Sequence, residues 1–146
     1  MKDLIIKTSQ FLNITIRDQL DAVSLLALRL MFGGSMLLAH GLGKLEKFEG
    51  MHETFPDPMG VGSTMSLSLV VFAEVVCAGL ICLGFLTRLA AFPLVITMAV
   101  AIFVIHAEDP FGKKELALAY LVAYLVIFLR GPGKISLDGF LSKTMR

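Results

Sequence analysis

Charge is scarce in this sequence: 17% of its 146 residues are charged, against 56% that are hydrophobic. Soluble domains carry roughly a quarter charged residues, so an ordinary water-covered globule is excluded as the expected class. Neither sign dominates, and a net charge of +1 provides no basic face for nucleic acid. Cysteine is nearly absent. Cys77 and Cys82 both lie inside one apolar run, and five helical residues turn them about 140° apart. That geometry excludes an intrahelical bridge and a CxxC redox pair, and both are read as small buried apolar side chains. Internal repeats, low-complexity tracts and motifs for flavin, haem or iron–sulfur binding are also missing. No cleavable signal peptide is evident, because the first apolar run starts after about twenty mixed residues and is long enough to span a bilayer.

What the chain does have is four apolar runs, about 24–42, 65–86, 88–106 and 112–130. The first, SLLALRLMFGGSMLLAHGL, has nineteen residues and extends roughly 28 Å, about one hydrocarbon thickness. The expected fold is all-α, an integral membrane four-helix bundle forming a single domain over 1–146. Before it, Leu4, Ile5, Phe11 and Leu12 share one face, the pattern of a short helix lying in the membrane interface. Asp21 or Ser24 is the expected cap of the first span, Ser63 or Thr64 the start of the second, and Thr87 the cap of the third. Asp109 before Pro110 reads as cap and first residue of the fourth. Pro93 removes a backbone donor and is expected to bend the third span. The segment 56–62 is a shaped loop, and 84–88 a tight reversal. Gly33, Gly34, Gly41 and Gly43 are expected to permit close helix contact.

Four spans put both termini on one side. Lys2, Lys7, Arg17, Arg88, Arg130, Lys134, Lys143 and Arg146 lie there, against Lys44, Lys47, Lys113 and Lys114 opposite. The positive-inside bias makes both termini cytoplasmic.

Against this apolar background a few ionisable residues stand out. Arg29, Gly33, Met36, His40 and Lys44 recur at offsets of three and four, on one helix face. Glu74 is the one acid away from the ends of these runs. Charge at membrane depth is costly and normally faces a bundle interior or polar cavity. Arg29 is expected to reach Glu74 or Tyr124, and Tyr120 and Tyr124, four apart, share a face. A second cluster gathers His40, Lys44, His106, Glu108, Asp109, Lys114 and Glu115 at the outer end. Two readings stand beside each other: an architectural Arg29–Glu74 pair, or a pocket for a substrate or cofactor lined by Arg29, His40, Lys44, Glu74, His106, Tyr120 and Tyr124. His40 and His106 form a weaker metal-ligand candidate; no HExxH or Glu-x-x-His helix pair supports it, and no metal is assigned. His52 is read as a solvated loop residue.

These residues resemble the DoxX family (DoxX/DoxD-like). Arg29, His40-Gly41 and Lys44 look like its opening signature. Phe55-Pro-Asp-Pro-Met-Gly-Val-Gly, Glu74 and Gly84-Phe-Leu-Thr-Arg88 follow its second-span pattern. His106-Ala-Glu-Asp-Pro-Phe-Gly-Lys-Lys-Glu115 and the closing Gly131-Pro-Gly-Lys-Ile-Ser-Leu-Asp138 extend the likeness over roughly residues 22–138. The resemblance implies a small multi-pass protein of the bacterial inner (plasma) membrane. It also implies a link to membrane oxidoreductases, such as a quinone-reducing archaeal thiosulfate dehydrogenase and a mycobacterial complex handling thiol and oxidative stress.

The expected function is a quinone- or small-molecule-binding membrane subunit of an oxidoreductase system, whether or not the chain is itself an enzyme. A quinone needs an apolar slot with polar groups at its carbonyls. His40, His106 and Glu74 are the candidates for proton handling. Any redox group is a bound molecule or belongs to a partner, since none is covalently attached. The alternatives are a small-solute binding or transport protein, which needs a homo-oligomer, and a structural membrane anchor for a partner enzyme. The lipid bilayer is the expected surrounding, a soluble or membrane redox protein the expected partner, and nucleic acid is not expected.

Overall fold

A computed structural model describes residues 2–144, with side chains from residue 16 onward. Among them every regular element is helical. Helix α1 (Lys2–Ser35) continues through a π-helical turn (Met36–Gly41) into α2 (Leu42–Glu46). A short α3 (Phe48–Met51) opens a loop that ends at α4 (Ser63–Val71). A second π turn (Phe72–Cys77) joins α4 to α5 (Ala78–Leu83). Helix α6 (Thr87–Val100) ends in a third π turn (Ala101–Ile105). Helix α7 (Phe111–Arg130) and the short α8 (Leu137–Thr144) complete the chain.

Among the described residues three stretches are long and apolar enough to cross a membrane: Ile16–Glu46, Ser63–Leu83 and Thr87–Ile105. In such sequences the helix satisfies every backbone group internally, which a bilayer demands. Helix α7 is equally long at 20 residues, but its first turns carry Lys113, Lys114 and Glu115. It packs most extensively on α6 and also against α1, while α1 packs on α5. The core between them is Met36, Ala73, Cys77, Ile81, Leu94, Met98, Tyr124, Ile127 and their neighbours.

Several local expectations are corrected. Residues 2–20 do not form a separate helix, for α1 runs unbroken from Lys2 to Ser35, and neither Asp21 nor Ser24 caps anything. The apolar face expected of Leu4, Ile5, Phe11 and Leu12 lies outside the residues whose side chains are described. Thr87 is the first residue of α6, not its cap. Asp138, far along the chain, does that work, accepting from Leu86 N at 2.9 Å and from Thr87 N and Oγ1 at 3.0 Å. It thereby holds Leu86 in the left-handed region (φ 47°), where a β-carbon is strained. Asp109 does not cap α7, which begins at Phe111 without a side-chain cap. Helix α6 runs through Pro93 without a break.

Two glycines set the register of the first two long helices. A Cβ on Gly33 would stand 2.8 Å from the Cys82 sulfur and 3.0 Å from the Ala78 carbonyl oxygen; on Gly41 it would stand 2.5 Å from the Glu74 carbonyl oxygen. Gly34 and Gly43 face open space, so only two of the four expected glycines serve close contact.

Candidate functional site

Buried charge occurs at two levels of the bundle. At the level of the chain ends, Arg29 is 1% exposed. The register fixed by Gly33 and Gly41 sets it beside Gly84, ten residues and about 15 Å along the helix from Glu74. An arginine stem does not cover that distance, so the expected Arg29–Glu74 pair does not form. Instead the guanidinium donates from Nη1 to the Pro132 carbonyl at 2.6 Å and from Nη2 to the Ile135 carbonyl at 2.7 Å. Its Nε is the one buried side-chain polar atom among the described residues without a partner. Charge-assisted bonds of this kind are strong, and here they fasten the segment after α7 onto α1. Surface pairs Arg130–Asp21 and Lys134–Asp18 flank the junction and add little at such exposure.

At the opposite level Glu74 is 4% exposed and pairs with Lys44 at 2.6 Å. Lys44 is the first-helix cation at this height, delivered by α2 just past Gly41. Beside it His40 stands edge-on to the Tyr120 ring with centroids 5.7 Å apart, and Tyr120 stacks on Tyr124 at 5.9 Å. The Tyr120 hydroxyl bonds to Ser35 Oγ at 2.9 Å, and that of Tyr124 donates to the Phe32 carbonyl at 3.1 Å. Tyr124 therefore pins α7 to α1 and does not meet Arg29.

The Lys44–Glu74 pair is the common wall of two cavities. The larger, about 610 Å³, is an apolar groove between the second and third long helices. Phe72, Phe92 and Ile96 form its outward side, and Phe55, Pro56, Pro58 and Met59 of the loop roof it. The smaller, about 240 Å³, lies between the first, third and fourth, with Met36, His40, Lys113, Ala117 and Tyr120 on its walls. Lys44, Glu74, Met98, Ala101 and His106 line both. Of the residues expected at a pocket, His40, Lys44, Glu74, His106 and Tyr120 are thus brought together, while Arg29 and Tyr124 line neither cavity.

All three π turns meet at this level. Each pairs an N–H with the carbonyl five residues back: Leu42 with Leu37, Ala78 with Ala73, and His106 with Ala101. Such turns are rare and concentrate at functional sites, because the extra residue re-aims the side chains that follow. His40 and Glu74 sit inside two of them, and His106 follows the third directly. A regular 3.6-residue wheel carries no trace of these turns; it set Met36 on the face of Arg29, His40 and Lys44, but nothing in it singled out Met98, Ala101 or Lys113. Gly41 was the available hint.

The loops hold the cavity mouths. Asp57 accepts from Val61 N, Gly62 N and Ser66 Oγ, the last two at 2.7 Å. These bonds, the Ser66 hydroxyl foremost, hold its carboxyl below the usual carboxylate range. The Asp109 carboxyl is likewise lowered, by His106 Nδ1 at 2.8 Å and then Lys113 at 3.0 Å. His52 is half-buried, stacked on Phe48 and 3.2 Å from the Thr64 hydroxyl, so it is not merely solvated. Among the described residues no group of three or more His, Cys, Asp and Glu is arranged to hold a metal ion.

The DoxX family model matches residues 24–107. The chain is 30% identical over 110 residues to an uncharacterized protein of Haemophilus influenzae, covering 68% of this chain and 73% of that one. It is 31% identical over 143 residues to an uncharacterized membrane protein of Mycobacterium tuberculosis, covering 82% of each. No solved structure matches. The matched region holds Arg29, His40, Lys44, Glu74 and His106, and on these grounds the chain belongs to the DoxX family and is a membrane protein built from several apolar helices.

Proposed function

We propose that this protein is a quinone-binding membrane subunit of an oxidoreductase system. One observation carries the reading: an apolar groove of about 610 Å³ on the side of the bundle ends at a part-buried ion pair and a histidine. Pockets for small lipophilic molecules have this make-up, mostly apolar walls with a few fixed polar groups. The residues fit the group. The groove suits the ring and the first isoprenoid units, and the Lys44 ammonium, held by Glu74, offers a donor to a carbonyl oxygen. His106 has Nδ1 engaged by Asp109, which fixes the ring and leaves Nε2 to exchange a proton. A bound quinone supplies reversible two-electron, two-proton chemistry, which nothing in the chain itself provides.

In the same reading α7 is a fourth crossing, and both termini lie in the cytoplasm of a bacterium with the protein in its inner membrane. The excess of Lys and Arg at the level of the termini supports that orientation.

The test is a lipid extract of the wild-type protein purified in nanodiscs from its native membrane, analysed by mass spectrometry. An isoprenoid quinone near one per chain is expected, and its loss in Lys44→Met/Glu74→Leu, which keeps its elution profile. A wild-type protein that carries no quinone and takes up neither an added benzoquinone nor an added naphthoquinone overturns the proposal.

A further inference from the structure

The smaller cavity has a different character from the groove, although the two share a wall. Its rim is Lys113, whose side chain is about two-thirds exposed (65%). From that rim it leads inward past Leu116 and Ala117 to His40, Tyr120 and the Lys44–Glu74 pair. Polar groups thus face it from the continuations of α1, α4 and α6 and from α7, and its volume of about 240 Å³ holds several waters at ~30 Å³ each. A cavity keeps water when it is roomy and offers each molecule two or more polar partners, and an apolar one stays dry. Lys44, Glu74, His40, His106 and Tyr120 meet that requirement. The groove shares Lys44, Glu74 and His106 on one wall, but the rest of its lining, with Phe72, Phe92 and Ile96 on the outward side, is overwhelmingly apolar.

We infer that the smaller cavity is a one-sided aqueous inlet. Water, and the protons it carries, reaches the Lys44–Glu74 pair from the Lys113 end of the bundle alone. At the other end a separate polar cavity of about 380 Å³, with Asp21, Leu25, Arg130 and Gly133 on its walls, does not include Arg29, and the guanidinium under Pro132 and Ile135 closes the interior behind it. The purpose of the inlet rests on the reading above: a lipid-soluble molecule arrives through the groove, and its polar head exchanges protons with one side of the membrane. The inlet itself is testable without that molecule.

Three methionines report on it in the native protein. Met36 and Met98 are 2% and 6% exposed; Met36 lines the small cavity and not the groove, Met98 lies on the wall the two share, and Met31 is 66% exposed on the outer face of the first long helix. In lipid nanodiscs, hydroxyl-radical footprinting of the full chain is expected to oxidise Met36 and Met98 several-fold faster than the lipid-facing Met31, because radicals form from bound water. Ala117→Cys, in vesicles of known orientation, is expected to react with a membrane-impermeant methanethiosulfonate from the Lys113 side and not from the side of the termini. Methionines at positions 36 and 98 no more reactive than Met31 overturn the inlet. So does a position 117 that stays unlabelled, or that is labelled from the other side. Quinone content measured on the same samples keeps the two ideas apart. Oxidised Met36 and Met98 without quinone leave the inlet standing and remove the ligand reading. Bound quinone with both methionines protected removes the inlet alone.

Discussion

The two ends of this bundle each draw in a cation, Arg29 fully buried and Lys44 partly, and they differ in what surrounds it. Arg29 is enclosed by backbone: two carbonyls of the segment after α7 accept its hydrogen bonds, and neither cavity reaches it. Lys44 meets a carboxylate and borders space on two sides. Charge at membrane depth is conventionally a sign of function. The comparison teaches that the sign is incomplete, since one cation at that depth adjoins two cavities while the other is packed among carbonyls as a fastening.

The largest effects come from removing either cation. Lys44→Ala leaves Glu74 buried without a counter-charge and is expected to cost about 3–5 kcal/mol, read as a lowered midpoint of thermal unfolding followed by circular dichroism. Replacing both partners, Lys44→Met with Glu74→Leu, is expected to restore most of that loss. Arg29→Met leaves two carbonyls unpaired and is expected to cost a similar ~3–5 kcal/mol, but no replacement of Glu74 rescues it. Rescue of the Arg29 variant by Glu74→Leu would erase the distinction between the two ends.

Gly41→Ala comes next. Its Cβ meets the Glu74 backbone, which has little room to yield, and overpacking of this kind costs about 1–3 kcal/mol. Gly34→Ala meets nothing and is expected to stabilise by about 0.5–1 kcal/mol through helix propensity. Equal responses at the two positions would show that Gly41 does not set the register.

Asp138→Ala removes three hydrogen bonds to the start of α6 and, as the loss of a cap, is expected to cost about 1–2 kcal/mol. Asn at this position should recover part of it. Protection of the Leu86 and Thr87 amides from hydrogen exchange checks both variants.

The smallest effect is a pH dependence at the exposed mouth of the cavity. The Asp109 carboxyl is depressed by His106 and Lys113, so the folded state prefers its ionised form. Its contribution is therefore complete above the ordinary carboxylate range and fades as pH falls through the lower, folded-state value. Unfolding midpoints of wild type and Asp109→Asn should differ at neutral pH and converge in strong acid. A difference that persists there would remove the assignment.

The helical class, the three long apolar helices and, of the outer cluster, the meeting of His40, Lys44 and His106 were legible in the sequence, because hydropathy and length suffice for the first two. Titratable groups in apolar runs are conspicuous enough for the third. Tyr120 and Tyr124 were correctly set on one face for the same reason of helical period. Which cation Glu74 would take was not legible. That depends on the axial register of two helices, and the register depends on where Gly33 and Gly41 let backbones touch. The π turns were hidden too, since one inserted residue leaves composition and hydropathy unchanged while shifting every later side chain around the axis.

By itself, then, the sequence determined that this chain is helical, apolar and suited to a membrane, and it named the few ionisable residues worth watching. The tertiary structure alone decided that Arg29 is a fastening and Lys44–Glu74 the wall of two cavities. The physical reason is that hydrophobicity and periodicity are properties of single segments, whereas the partner of a buried charge is a property of how segments are stacked.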